Sequence, residues 1–92
     1  MLTAIILINT ERTRTIPVGE ALAEMEGISE VYTVAGRYDL VAMIRVSRNE
    51  DLADLVTRRV SDLEGIRSTE TLMAFRTYSR HDLESLFAVG LG

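Results

Sequence analysis

A 38-residue echo constrains this chain more than any other feature. Met25-Glu26-Gly27-Ile28 recurs as Leu63-Glu64-Gly65-Ile66, and Val18 and Leu22 are matched at the same offset by Val56 and Val60. Each copy reads as an amphipathic helix stopped by a glycine and followed by a strand that starts at isoleucine. Ahead of the first copy runs a continuous β-branched and aliphatic stretch, residues 2–8, with Ala4, Ile6 and Ile8 on one face and Ile5 and Leu7 on the other. Leu40 to Val46, ahead of the second copy, is also apolar on both faces. Such segments are strands covered on two sides. Two copies of strand, helix, strand give β-α-β-β-α-β, the ferredoxin-like α+β sandwich. Right-handed crossovers then put both helices on one face of an antiparallel sheet. The opposite face is bare, and with the first and third strands greasy on both sides it cannot be left in water. A second sheet stacked on it is the simplest cover, so the pattern predicts a sheet-to-sheet homodimer.

The 92 residues make one domain, 1–92, with a core small enough to gain from a partner subunit. Pro17 suits a first helical turn, and Val18, Ala21, Leu22 and Met25 follow at helical spacing. A second strand is predicted from Ile28 to Ala35, joined to the third by a tight hairpin connection, Gly36-Arg37-Tyr38-Asp39. Ser47 and Glu50 have the form of a capping box for a second helix, whose stripe is Leu52, Leu55, Val56, Val60 and Leu63. A long fourth strand is predicted over Ile66 to Tyr78. Ser79 and Asp82 then cap a short C-terminal helix, about residues 80–89, carrying Leu83, Leu86 and Phe87.

Composition removes several function classes. There is no cysteine, hence no disulfide, iron–sulfur cluster or thiolate zinc site. All 10 basic residues are arginines scattered singly or in pairs, and the net charge is −4, so no basic stripe exists for direct nucleic-acid binding. The amino terminus lacks a basic region and cleavage site, and its apolar run is too short to span a bilayer, which points to a cytoplasmic protein with no membrane contact. With no lysine there is no phosphate loop. Glu20, Glu24, Glu50, Asp51, Asp54 and Asp62 fall on the outer helix faces, so neither metal nor cofactor is expected. His81, the one histidine, stands beside Asp82, an arrangement compatible with a proton shuttle and equally with a solvated turn. Nothing nucleophilic lies at a recognisable spacing, and no catalytic residue is assigned.

Gly36-Arg37-Tyr38-Asp39 resists a purely structural account, because a hairpin has no need of an aromatic residue between opposite charges. Glycine lets backbone N–H groups approach an anion, Arg37 can pair a carboxylate, Tyr38 offers a ring and a hydroxyl, and Asp39 accepts from an ammonium. These are the groups an amino acid zwitterion requires. The competing reading has Asp39 capping the turn and Tyr38 packing at a subunit contact. Ser68-Thr69-Glu70-Thr71 form a second polar cluster in the fourth strand, with Thr69 and Thr71 on one face, that serves either a ligand or neighbouring groups. On the binding reading, removing the Asp39 carboxylate leaves the fold intact.

Gly27-Ile28 leading through Val31 and Val34 to Gly36-Arg37-Tyr38-Asp39-Leu40, and then Gly65-Ile66-Arg67-Ser68-Thr69-Glu70-Thr71, resembles the effector-binding (RAM) domain of the Lrp/AsnC transcription regulators. The similarity runs from the first strand to the fourth, and its sharpest motif is Gly-x-Tyr-Asp. In that family a helix-turn-helix domain precedes this one, so the chain looks like a stand-alone module. The resemblance implies homodimers, about four of which close into a ring, with small effectors, typically amino acids, held where dimers meet. It assigns backbone recognition to Gly36 and Arg37, pocket contacts to Tyr38 and Asp39, and strand-four counterparts to Thr69 and Thr71. Arg37 stands where the family often has an acidic or small residue, which bears on the effector's side chain. The implied role is indirect control of transcription by co-assembly with full-length regulators, or a ligand sensor with other partners. The alternative from another class is a small dimeric ferredoxin-like enzyme, a cofactor-independent oxygenase or isomerase, which needs a closed pocket inside each subunit.

Overall fold

The computed structural model describes residues 1–78 and Arg80. Its elements in chain order are β1 (Leu2–Thr10), α1 (Thr15–Ala23), β2 (Ile28–Thr33), β3 (Leu40–Val46), α2 (Asn49–Asp54) continuing as a π-helix (Leu55–Val60), and β4 (Ile66–Ala74). The strands form one antiparallel sheet ordered β2-β3-β1-β4, the expected ferredoxin-like βαββαβ arrangement. No helix among the described residues is long and apolar enough to cross a membrane.

Strand alternation sorts the residues of the two central strands. Ala4, Ile6 and Ile8 of β1 lie directly opposite Ile44, Ala42 and Leu40 of β3, and all six are fully buried against the helices. Onto this floor α1 lays Val18 and Leu22, while Leu52, Leu55 and Val60 come from the second helix. Each large side chain buried in this way stabilises the fold by about 1.5–3 kcal/mol. The π-helix accounts for the spacing of the second stripe. Leu55 and Val60 are five residues apart, and the wider helical turn brings both onto the core side.

The echoed glycines share one conformation. Gly27 has φ +96° and Gly65 φ +97°, the left-handed region that a side chain disfavours. A Cβ on Gly65 would also sit 2.7 Å from the Cβ of Arg14, and the Gly65 carbonyl accepts from the Glu11 N–H at 2.7 Å. Gly27 likewise accepts from the Arg45 N–H at 2.8 Å, which seats the start of β2 against the end of β3.

Three boundaries differ from expectation. β2 ends at Thr33, so the connection to β3 is longer than a tight four-residue hairpin; the Val34 N–H closes it on the Asp39 carbonyl at 3.1 Å. β4 ends at Ala74, which pairs with Thr3, because β1 offers almost nothing further to pair with. The Ser47–Glu50 capping box does not form. The residue at the N-cap is Arg48, extended at φ −136° and ψ 156°, one position too late for that frame; its guanidinium meets Asp51 at 3.4 Å instead. The helix expected over residues 80–89 and its cap at Ser79 and Asp82 lie outside the described residues, as does His81.

The face of the sheet away from the helices carries Ile5 and Leu7 of β1, Val41 and Met43 of β3 and Leu72 of β4. None of these is fully buried. Polar groups flank the stripe. On one side Tyr32 donates to Glu30, which raises the phenol's pKa, and Arg45 approaches Glu30 at 3.7 Å. On the other the Tyr38 hydroxyl donates to Glu70 at 2.6 Å. The two faces predict different phenotypes. Ile44→Asp buries an unpaired charge and is expected to abolish the cooperative unfolding transition, a cost of several kcal/mol. Leu7→Asp, on the open face, is expected to retain native circular dichroism and to lose any self-association seen by light scattering. An Ile44→Asp protein with a native transition would contradict this assignment of faces.

Candidate ligand-binding site

The site is built where β1 ends. Thr10 is 5% exposed, and its backbone N–H lies beyond the last regular pairing because the β1–β4 register shifts between Asn9 and Thr10. Asp39 satisfies that donor. Its Oδ2 accepts from the Thr10 N–H at 2.8 Å and from the Thr10 hydroxyl at 3.3 Å, while the Thr10 and Thr15 hydroxyls lie 2.6 Å apart. The Asp39 N–H in turn donates to the Ile8 carbonyl at 2.9 Å. The carboxylate is thereby fixed to the strand with the most buried side chains, a hydrogen-bonding role of the turn-capping kind combined with a defined orientation.

The rest of the connection is open. Gly36 is exposed with φ +128°, and a Cβ there would meet nothing within 4 Å, so glycine serves the backbone conformation and not a close contact. The Arg37 guanidinium lies 6.0 Å from the centre of the Tyr38 ring, a cation–π distance, and is solvent-exposed. Tyr38 reaches Glu70 on the bare sheet face.

Beside Asp39 lies a polar cleft of about 440 Å³ lined by Asn9, Asp39, Arg67 and Ser68. The Asn9 amide donates to the Ser68 hydroxyl at 3.5 Å, a long contact. Thr69 and Thr71 are placed differently. They pair with Ile8 and Ile6, whose side chains enter the core, so they occupy the helix side of the edge strand, while Glu70 between them faces the other way. The structure therefore gathers Gly36, Arg37, Tyr38 and Asp39 in one connection and sets Thr69 and Thr71 on the sheet face opposite Glu70. Arg67 and Ser68 fall inside the quoted strand-four stretch, but neither they nor Asn9 are expected at the site, and their meeting with Asp39 escapes the motif reading. The signal that finds them is antiparallel register: a fourth strand starting at Ile66 brings Arg67-Ser68 alongside Asn9.

At the other end of the sheet a cleft of about 300 Å³ is lined by Glu26, Gly27, Asp51, Asp54, Arg45 and Arg59, among others. Its charges are largely engaged already: Asp51 with Arg48 at 3.4 Å, Asp54 with Arg58 at 3.0 Å, Arg45 with Glu30, and Arg59 with the Glu26 carbonyl at 3.3 Å. Among the described residues there is no group of three or more histidine, cysteine or acidic side chains able to hold a metal ion.

Residues 3–83 match the Lrp/AsnC ligand binding domain. The chain belongs to the Lrp/AsnC family. The crystal structure of TTHA0845 from Thermus thermophilus is 49% identical, with a TM-score of 0.82 over 87% of this chain and 100% of that one. The transcriptional regulator FL11 of Pyrococcus abyssi is 31% identical over 75 residues, 82% of this chain and 49% of the regulator. A structure of the Neisseria meningitidis transcriptional regulator NMB0573 in complex with L-Met shares the fold, with a TM-score of 0.76 over 86% of this chain and 53% of that one at 9% identity. The chain spans about half the length, or less, of the curated regulators it matches. An Lrp/AsnC domain of this kind is a regulatory ligand-binding unit, not an enzyme.

Because Asp39 carries a structural bond, its removal is expected to affect stability, contrary to the reading in which it serves a ligand alone. Asp39→Ala leaves the Thr10 N–H unpaired and should cost about 1–3 kcal/mol, read as a lower urea midpoint at unchanged slope. Asp39→Asn keeps an acceptor and should lose less. Equal stability of wild type and Asp39→Ala would show that the Thr10 bond contributes nothing.

Proposed function

We propose that this Lrp/AsnC domain is a cytoplasmic, amino acid-binding, oligomerising module that modulates transcription indirectly, through Lrp/AsnC-type regulators. The observation that carries this reading is the Gly36–Asp39 connection, where an oriented carboxylate borders a polar cleft and an exposed glycine leaves the backbone approachable. Support also comes from the same-fold Neisseria regulator, which was solved with L-Met. On this reading Asp39 takes the ammonium, Gly36 and Arg37 offer backbone donors to the carboxylate, Tyr38 bounds the pocket, and Thr69 and Thr71 contribute hydroxyls from a neighbouring surface.

Oligomerisation follows from the apolar face of Ile5, Leu7, Val41, Met43 and Leu72, which a second copy of the same sheet covers. Dimers then join at the hairpin ends into a larger ring. An effector lodged between dimers binds the ring better than the free dimer and shifts the population by that difference in affinity. A regulator presenting a matching face is drawn into the same equilibrium.

The test is a thermal-shift screen of the twenty amino acids read alongside light-scattering mass. An effector at a hundred times its Kd stabilises by about 2.7 kcal/mol, which for a domain of this size raises Tm by on the order of 10 °C. One or more amino acids should give that rise together with a change in mass. A flat response from all twenty at constant mass would contradict the proposal.

A further inference from the structure

We propose that Arg67, which the family motif does not single out, supplies the side-chain partner of the effector's carboxylate beside the backbone donors of Gly36 and Arg37, and that the site takes a small polar amino acid. This rests on the amino acid reading above and goes further by naming the ligand class and a residue that decides it.

The argument starts from the charges in the cleft. Asp39 and Arg67 both line it, yet they are not among the ion pairs that close within 4.0 Å in the described residues. One oxygen of Asp39, Oδ2, is held by Thr10, and its other oxygen makes no hydrogen bond among the described residues. The Arg67 guanidinium makes neither an ion pair nor a side-chain hydrogen bond among those residues, as is also true of Arg12, Arg14 and Arg37, but it is the arginine that lines this cleft. Opposite charges held apart across a small cleft suit a molecule that bears both: an ammonium on the free oxygen of Asp39 and a carboxylate on Arg67, whose planar fork matches it. The register shift between Asn9 and Thr10 falls beside Arg67 and interrupts the ladder there.

The lining sets the class of side chain. Besides the two charges it consists of the Asn9 amide and the Ser68 hydroxyl, which reward a side chain that hydrogen-bonds and offer an aliphatic one little surface to bury against. Serine and asparagine are the fitting ligands, and leucine, methionine and phenylalanine the misfits. In the other cleft Asp51, Asp54 and Arg45 already meet oppositely charged neighbours, and Arg59 donates to the Glu26 carbonyl.

The experiment is isothermal titration of the intact protein with L-serine, L-asparagine, L-leucine and L-methionine, and with serinamide and glycerate, which lack the carboxylate and the ammonium respectively. Wild type should bind serine or asparagine at least ten-fold more tightly than leucine or methionine, and should not measurably bind either analogue. Arg67→Ala should weaken binding by roughly ten- to a hundred-fold, with Arg67→Lys between the two. Arg67 is exposed, so both variants should keep the wild-type Tm without ligand. Arg76→Ala, which removes an exposed arginine outside the cleft lining, is the control and should leave affinity unchanged. Tighter binding of leucine or methionine, or unchanged affinity in Arg67→Ala, overturns this inference and leaves the amino acid reading standing. Failure of every amino acid in the thermal-shift screen overturns both.

Discussion

The structure depends on a single layer of contacts, the facing rows Ala4, Ile6, Ile8 and Leu40, Ala42, Ile44 at the middle of the sheet. Both helices are anchored on this layer, and the outer strands are placed by it. β2 pairs only with β3, and β4 only with β1. Because side chains alternate, the same two strands that floor the core must expose Ile5, Leu7, Val41 and Met43 on the reverse. Stability within one copy and the proposed attraction between copies thus rest on alternate residues of the same segments. A slip of one residue would exchange the two roles.

The candidate site inherits its rigidity from that layer. Asp39 immediately precedes Leu40, the first buried residue of β3, and its backbone N–H is bonded to Ile8, the last buried isoleucine of β1. Its carboxylate then takes up the Thr10 N–H that the interrupted β1–β4 ladder leaves over. A ligand group at this position is held by the core, while Gly36 and Arg37 a few residues away are exposed. Tyr38 extends the connection toward the bare face through Glu70, so the hairpin and the predicted subunit contact share one side chain. On the proposed function, this shared side chain would link binding at the cleft to assembly at the face.

The fold was legible because the constraints were local and repeated. The echo fixed both helix–strand units, down to the paired positive φ values of Gly27 and Gly65, and two-sided apolarity identified β1 and β3. What was not legible depended on competition between neighbours. Ser47 has the chemistry of a cap, yet the helix starts one residue later, where Arg48 finds Asp51. The end of β4 is set by the length of its partner rather than by its own composition. Around the candidate site, residue chemistry singles out Gly36, Arg37, Tyr38 and Asp39, whereas Asn9 and the Arg67-Ser68 pair are remote in sequence and meet only through strand register. Alternation correctly put Thr69 and Thr71 on one face; which face it was required the pairing with Ile6 and Ile8.

The central claim is that a small amino acid binds at the end of β1, on a carboxylate held by the core. Chemical-shift mapping of the isotope-labelled protein titrated with L-serine tests it most directly. The account predicts perturbed backbone amides at Asn9, Thr10, the 36–39 connection and residues 67–68, with those of Gly27, Asp51 and Arg59 unmoved. Perturbations confined to Gly27, Asp51 and Arg59, or a spectrum indifferent to serine at millimolar concentration, would contradict it.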